Sequence, residues 1–246
     1  SRFVTDFYAT GPIAAAASIF PSRYRNLVRF RRKVGVPDSA VRQFPLMAAR
    51  EFIARGDYAK SALLRDSNDD IISLHAAAAA RKCRGHHFQY SAYAAPSFTA
   101  KYDHNPVRIL FQYHPHNATE HAILVEDDLR RGSSRVVHME SDQTVVRPHR
   151  ISSDEAWRQA DHIVCASSFT AESLVAAGAD DSRISVVPYG VERPPRTEFS
   201  EVPNDGRFRV LFVGSGIQRK GVHHLVEAWR RARLPVGAEL LIVSRV

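Results

Sequence analysis

Apolar residues along this chain fall into short continuous runs, and segments with a helical or a polar pattern separate them. Successive apolar positions are typical of a strand in a parallel sheet, because such a strand is covered on both of its faces. The predicted strands cover residues 71–74, 107–113, 163–166, 184–187, 210–213 and 240–243, and an alanine-rich helix covers 75–82. Strands that alternate with helices in this way predict an α/β fold with a doubly wound parallel sheet.

The run at 210–213 leads directly into a glycine-rich turn made of Gly214, Ser215 and Gly216. A helix is predicted after Gly221, because apolar residues recur there at i, i+3, i+4 and i+7, as Val222, Leu225, Val226 and Trp229. Arg219 and Lys220 therefore lie at the start of a helix, where free amide groups and the helix dipole favour an anion. The pattern predicts a phosphate or diphosphate site, and a solvated basic turn is the alternative.

Two common phosphate-binding motifs do not fit this turn. A P-loop requires Gly-Lys followed by Ser or Thr, whereas Gly221 is followed by Val222 and His223. A dinucleotide fingerprint requires a third glycine at the position of Arg219, and an acidic residue about 20 positions later. Neither motif is therefore supported, and the phosphate site and the solvated basic turn both stay open from the residues of this turn.

Residues 193–207 are rich in proline and charge and show no apolar period, which predicts an interdomain linker. The first domain then covers residues 1–192, and Ser167 with Ser168 and Gly178 predict the start and end of a helix within it. The second domain covers residues 208–246. A domain of about 40 residues is too short to bury a core of its own, so we expect truncation at the carboxyl end.

The formal net charge is +8 and the sequence pI is about 9.8, which favours an acidic partner. The densest basic segment runs from Arg23 to Lys33, and apolar residues alternate with its cations. This composition suits an anionic membrane surface, and a solvated basic face is the alternative. No nucleic-acid partner is expected, because no helix-turn-helix, zinc-finger or RNA-binding signature accompanies the charge.

No apolar run approaches the ~20 residues of a membrane span, and the first residues do not have the pattern of a signal peptide. We therefore expect a cytoplasmic protein, whose basic segment offers a route to peripheral association with the inner membrane surface. Cys83 and Cys165 are the only cysteines, and we expect buried thiols rather than a disulfide.

Three segments together resemble the retaining, two-domain glycosyltransferases of family four, which have the GT-B fold. The segments are ADHIVCASSFTAESLVAAGADDSRISVVPYGVE at 160–192, LFVGSGIQRKGVHHLVEAW at 211–229 and RILFQYHPH at 108–116. The resemblance covers about residues 107–246. It implies two Rossmann-like domains with parallel sheets, the second of which is present only as its first βαβ portion.

The resemblance also implies an activity, the transfer of a hexose with retention from a nucleoside diphosphate sugar to a glycan or lipid-linked acceptor. In this family the lysine of the Arg-Lys-Gly segment contacts the donor diphosphate. That role carries over to Lys220, with Arg219 as its helper and with Gly214, Ser215 and Gly216 in the surrounding turn. His114 carries over as the catalytic residue at the acceptor side. Neither a metal nor a cofactor is implied.

The sequence departs from the family pattern at several positions. The family usually has an arginine where Ser215 stands and an asparagine where Tyr189 stands. Its paired glutamates, which contact the donor, would lie beyond Val246, and its first strand would precede Ser1. The resemblance thus implies truncation at both ends, which would leave the chain as given without those parts of the donor site.

The histidines allow further interpretations. His114, His116 and Glu120 have the spacing of a cupin metal site, but cupins are all-β proteins, so no metal site is expected. For His114, the alternative to a catalytic role is a strand-end histidine bonded to nearby backbone. The pairs His86–His87 and His223–His224 are predicted to lie on the surface or on a helix face.

Two other functions stay open beside glycosyl transfer. A nucleotide-sugar epimerase has the same two-domain plan, and a non-catalytic basic module would bind anionic membranes through Arg23 to Lys33. The donor, the acceptor and the linkage are not identified by the sequence.

Overall fold

A computed structural model of the chain describes residues 3–5, 8–11, 31, 35–54, 58–132, 153–191 and 205–244. The described residues form mixed α/β structure with parallel sheets, in a Rossmann-like arrangement. Contacts between residues divide the chain into two units. Unit 1 comprises Ser1–Asn117 with Val146–Pro188, and unit 2 comprises Ala118–Val145 with Tyr189–Val246.

The elements of unit 1 begin with a short parallel pair, β1 (Phe3–Thr5) and β2 (Val41–Gln43). Two helices follow, α1 (Pro45–Ile53) and α2 (Tyr58–Cys83), and then β3 (His87–Tyr90), α3 (Ser91–Phe98) and β4 (Arg108–Gln112). After a 3-10 helix at Ser153–Gln159, the chain forms β5 (His162–Cys165), α5 (Ser168–Ala176) and β6 (Ile184–Val186). Helix α4 (Asn117–Arg130) follows β4 in the sequence and, from Ala118 onward, belongs to unit 2.

Strands β3 to β6 form a four-stranded sheet in their sequence order, and every neighbouring pair is parallel. The predicted strands at 107–113, 163–166 and 184–187 are confirmed as β4, β5 and β6. Ser167 caps α5, because its Oγ accepts a hydrogen bond from Thr170 N at 3.1 Å, and Gly178 follows the helix with φ of 99°. This is the capping pattern that the sequence predicts.

The core of unit 1 lies between this sheet and the segments that connect its strands. Leu110 and Ile163 are fully buried on adjacent strands, and Phe98, Trp157 and Leu174 pack from three flanking segments. Small residues fill the remaining space, at Ala94, Ala95, Ala156, Ala160 and Ala171. Alanines of this kind allow the helices to approach the sheet closely, as the high packing density of protein interiors requires.

The predicted strand at 71–74 is wrong, because these residues lie within the long helix α2. Ile72 and Ser73 are buried there, whereas Leu74 is exposed, which is the one-sided burial of a helix rather than of a covered strand. The alanine-rich stretch 75–82 is helical, as predicted. Strand β3 is missing from the sequence prediction, because its buried positions, His87 and Gln89, are polar.

Unit 2 contains β7 (Arg209–Val213), α6 (Val222–Arg231) and β8 (Glu239–Val243). The two strands are parallel and pair Arg209 with Glu239 and Val213 with Val243, so this segment is a βαβ unit, as predicted. At the amino ends of the strands, the Glu239 carboxylate accepts hydrogen bonds from Arg207 and Arg209. These bonds hold the pKa of Glu239 below its usual range.

Several predictions fall on residues outside the described ranges. The linker at 193–207 is largely outside them, and of the basic segment from Arg23 to Lys33 only Arg31 is described. None of the helices in the described ranges is long and apolar enough to cross a membrane.

Candidate functional site

The strongest candidate site is the connection between β7 and α6, residues 214–221, which we call the basic loop. Strand β7 ends at Val213, and Gly214 N donates a hydrogen bond to Val243 O of β8 at 3.0 Å. Gln218–Lys220 then form one 3-10 turn. The strand-to-helix turn predicted from the glycines and the apolar period is thus present, with Arg219 and Lys220 directly before the helix.

Gly221 fixes the angle at which the chain enters α6. Its φ is 68° and its ψ is 19°, a left-handed conformation that is costly for any residue with a Cβ atom. The first hydrogen bond of the helix runs from Leu225 N to Gly221 O at 3.1 Å. Helix geometry therefore leaves the amides of Val222, His223 and His224 without an intrahelical acceptor, and these amides form the positive end of the helix dipole.

The two cations of the basic loop have different environments. Lys220 is exposed. Arg219 lies with its Nε 3.4 Å from Glu120 Oε1, and the Glu120 side chain is largely buried on α4. Because a carboxylate already lies beside Arg219, an anion that binds this arginine has to compete with Glu120 or share the guanidinium with it.

Helix α4 also contacts the basic loop through Gln218. The Gln218 Nε2 atom lies 3.0 Å from Leu124 O, 2.8 Å from Asp127 Oδ2 and 3.0 Å from Asp128 Oδ1. Glu120, Leu124, Asp127, Asp128 and Arg131 recur at i, i+4, i+7, i+8 and i+11. That spacing places them on one face of a helix. The acidic face could therefore have been predicted from the sequence, but the sequence analysis did not identify it.

The pair His223–His224 also contacts this face of α4, and both imidazoles are bonded to one carboxylate. Asp127 Oδ2 lies 3.0 Å from His223 Nε2, and Asp127 Oδ1 lies 2.7 Å from His224 Nε2. Partial burial raises the pKa of Asp127, but the Gln218 hydrogen bond and the charges of Arg131 and the two histidines outweigh burial and leave this pKa below its usual value. The sequence analysis placed the two histidines on the surface or on a helix face and did not predict their contact with Asp127.

His114 lies just beyond the carboxyl end of β4 in unit 1 and is half-buried. Its ring contacts the Tyr113 ring with centroids 4.1 Å apart, and its carbonyl oxygen accepts a hydrogen bond from Gln112 Nε2 at 2.9 Å. The Tyr90 ring packs edge-on against Tyr113 and Phe111. His114 thus lies at the strand end where α/β proteins bind ligands, beside aromatic rings that the sequence analysis did not single out.

His116 and Glu120 have roles other than the cupin spacing suggests. His116 N donates a hydrogen bond to Ser173 Oγ of α5 at 2.9 Å, and its ring packs edge-on against Trp157. Glu120 lies beside Arg219 in unit 2. Among the described residues, the group able to hold a metal is Asp127, His223 and His224, which includes none of the cupin-spaced residues.

Two further predictions need correction. His87 is 4% exposed rather than on the surface, and burial, followed by the positive charge of Arg108, lowers its pKa to about 4. Of the cysteines, Cys165 is buried as predicted, and burial raises its pKa to about 11. Cys83 is exposed, because it lies at the end of α2, and both thiols are free.

Comparison with protein-family models, with curated proteins and with solved structures finds no match to this chain.

Proposed function

We propose that this protein is a retaining glycosyltransferase of the GT-B type that binds the diphosphate of a nucleoside diphosphate sugar at the basic loop. The observation that carries the proposal is the placement of Arg219 and Lys220 on a short turn between β7 and the start of α6. Two cations and a set of free helix amides converge at this point, and this combination favours a ligand with several negative charges.

The chemistry of glycosyl transfer requires such a site. When the bond between the sugar and the diphosphate breaks, negative charge grows on the departing diphosphate. Donors that are already in place around that charge lower the barrier, because little reorganisation is needed during the reaction. Lys220 is the principal donor in this proposal, since it is exposed, and Arg219 assists it once the contact with Glu120 is shared or broken.

His114 completes the proposal as the residue that contacts the sugar or orients the acceptor in unit 1. The supporting observations are its position after β4 and the neighbouring Tyr113 and Tyr90 rings. Aromatic faces offer an apolar surface for the C–H faces of a sugar ring, and the tyrosine hydroxyls supply polar contacts at its edge. The acceptor is accordingly proposed to be a glycan or a lipid-linked glycan.

The test is calorimetric titration of UDP and GDP into the chain and into Lys220→Ala. We expect one nucleotide to bind and the variant to weaken its binding by at least about tenfold, since a charge-assisted contact to phosphate contributes roughly 1.5–3 kcal/mol. Lys82→Ala is the matched control, because it removes an exposed lysine from the end of α2. Equal binding by Lys220→Ala and the parent chain would refute the diphosphate site.

A further inference from the structure

A second site in unit 2 is formed by Asp127 on α4 and by His223 and His224 in the first turn of α6. One oxygen or ring nitrogen of each residue lies within 4.8 Å of those of the other two. The Asp127 carboxylate faces both imidazoles, at 3.0 Å from His223 Nε2 and 2.7 Å from His224 Nε2. Three potential metal ligands thus converge from two elements that are far apart in sequence.

We propose that Asp127, His223 and His224 bind a divalent transition-metal ion of the zinc class. Two imidazole nitrogens and one carboxylate oxygen form a ligand set that zinc and its neighbours in the first transition row accept. In a tetrahedral zinc site with bonds of about 2.0–2.1 Å, ligand atoms lie about 3.3 Å apart. The two distances in the structure, 3.0 and 2.7 Å, are shorter and run to different oxygens of Asp127, so an ion requires side-chain rotations that bring one of these oxygens and the two ring nitrogens around it.

Gln218 and Asp128 lie next to the Asp127 carboxylate. Gln218 Nε2 carries two hydrogens, yet three acceptor oxygens lie within 3.0 Å of it, on Leu124, Asp127 and Asp128. Asp128 is 4% exposed, and its Oδ2 has no hydrogen-bond partner among the described residues. Arg131 donates to the other oxygen of Asp128. A bound cation would take over one of the carboxylate contacts that Gln218 shares between several oxygens.

Gln218 and Arg131 also orient the carboxylate. Asp127 Oδ2 lies 2.8 Å from Gln218 Nε2 and 3.3 Å from an Arg131 nitrogen. Outer contacts of this kind hold a ligating carboxylate in one orientation and contribute strongly to metal affinity. The positive charge of Arg131 acts in the opposite direction, so we expect micromolar rather than nanomolar affinity.

The proposed site is open on one side, because 63% of the His224 side chain is exposed. A metal with three protein ligands keeps a fourth position for water, and the exposure of His224 provides access for the ion. The ion would join α4 to the start of α6 and would fix the basic loop that lies between β7 and α6. This metal site does not depend on the proposed glycosyl transfer and involves no step of it.

The test is titration of Zn²⁺, and of Co²⁺ as a spectroscopic probe, into the chain in the absence of nucleotide. We expect one ion per chain and a visible Co²⁺ spectrum of four-coordinate intensity. His224→Ala and Asp127→Asn should each weaken binding by at least about tenfold. His121→Ala is the matched control, because it removes an exposed histidine from α4 and should change the affinity less than twofold.

Three results would overturn the proposal: no stoichiometric binding, equal binding by the parent and both variants, or an equal loss in His121→Ala. The second and third results would show that the ion binds to exposed histidines elsewhere on the surface. His224→Ala keeps the test valid if Asp127→Asn misfolds, because a mostly exposed side chain contributes little to folding. Far-ultraviolet circular dichroism checks that each variant is folded.

Discussion

At the scale of single residues, His87 shows how a buried position determines the chemistry of a side chain. It lies at the start of β3, packs edge-on against Phe98 and Tyr102, and is hydrogen-bonded to Gln89 through Nδ1 at 3.0 Å. Its Nε2 is buried and has no hydrogen-bond partner among the described residues. Burial, followed by the positive charge of Arg108, disfavours the protonated ring, so the imidazole stays neutral well below its ordinary pKa.

The lowered pKa of His87 predicts a loss of stability in mild acid. The imidazole has a pKa of 6.5 when unfolded and about 4 in the folded chain, so between these values the unfolded chain binds more protons. The free energy of unfolding therefore falls as the pH drops from 6.5 to 4, by about 1–3 kcal/mol from this residue. Urea unfolding at pH 7 and at pH 4.5 measures the difference.

In His87→Gln the amide keeps a hydrogen bond to Gln89 but does not titrate, so this contribution to the acid loss should disappear. His86→Gln is the matched control, because His86 is exposed and adjacent, and should retain the acid loss of the parent chain. Carboxylates with lowered pKa values, such as Asp205 and Glu239, lose their contribution mainly below about pH 5, and both histidine variants share that loss. An unchanged acid loss in His87→Gln would contradict the assignment.

At the scale of elements, α4 brings carboxylates to a loop that is proposed to bind an anion. Glu120 lies 3.4 Å from Arg219, and Asp127 and Asp128 contact Gln218. These contacts hold the basic loop in place, but they also lower its positive potential. We therefore expect the acidic face of α4 to reduce the affinity for a diphosphate while it fixes the shape of the loop.

Glu120→Gln should increase the affinity for the nucleotide that binds, provided that the proposed diphosphate site is correct. Removing one negative charge beside Arg219 leaves the guanidinium available to phosphate, and an interaction of about 1 kcal/mol corresponds to roughly fivefold in the dissociation constant. Calorimetric titration compares Glu120→Gln with Glu126→Gln, which removes an exposed charge from the same helix and should leave the affinity unchanged. Weaker binding by Glu120→Gln would show that Glu120 positions Arg219 instead.

The strands that the sequence predicts correctly are those with consecutive apolar residues, although β7 and β8 are partly exposed rather than covered on both faces. Strands β4 to β8 and the start of α5 follow from apolar runs and one serine cap, and the turn before α6 follows from its glycines. Strand β3 does not, because His87 and Gln89 occupy its buried positions. Residues 71–74 have the apolar composition of a strand, but they belong to the same helix, α2, as the alanine-rich stretch that follows them.

The candidate site divides in the same way. Arg219 and Lys220 are found from the sequence, because local pattern alone places them at the start of a helix. The contacts with α4 are not found, since Glu120 lies about 90–100 positions from Arg219, as Asp127 does from His223, and only tertiary structure brings each pair together. Several acidic residues at helical spacing, as on α4, are a pattern in the sequence that predicts a contact with a basic segment.

At the scale of the whole molecule, the net charge of +8 gives the chain a general attraction for anions. The proposed diphosphate site and the proposed membrane contact through Arg23 to Lys33 both depend on positive charge, but they differ in range. A diphosphate would sit in direct contact with Lys220, whereas a basic segment acts on a lipid surface through a diffuse field. Salt screens the diffuse field more strongly, since the Debye length falls from about 10 Å at 0.1 M to about 3 Å at 1 M.

Substitution within the basic segment should therefore affect vesicle binding and leave nucleotide binding unchanged. We expect Arg29→Gln/Arg31→Gln/Arg32→Gln to bind phosphatidylserine vesicles at least about tenfold more weakly at low salt, because each basic residue near the surface contributes about 1 kcal/mol. The control variant Arg50→Gln/Arg230→Gln/Arg233→Gln removes the same charge from exposed positions elsewhere and should bind like the parent chain. Equal losses in the two variants would assign vesicle binding to net charge alone, and no vesicle binding by the parent chain would exclude the membrane contact.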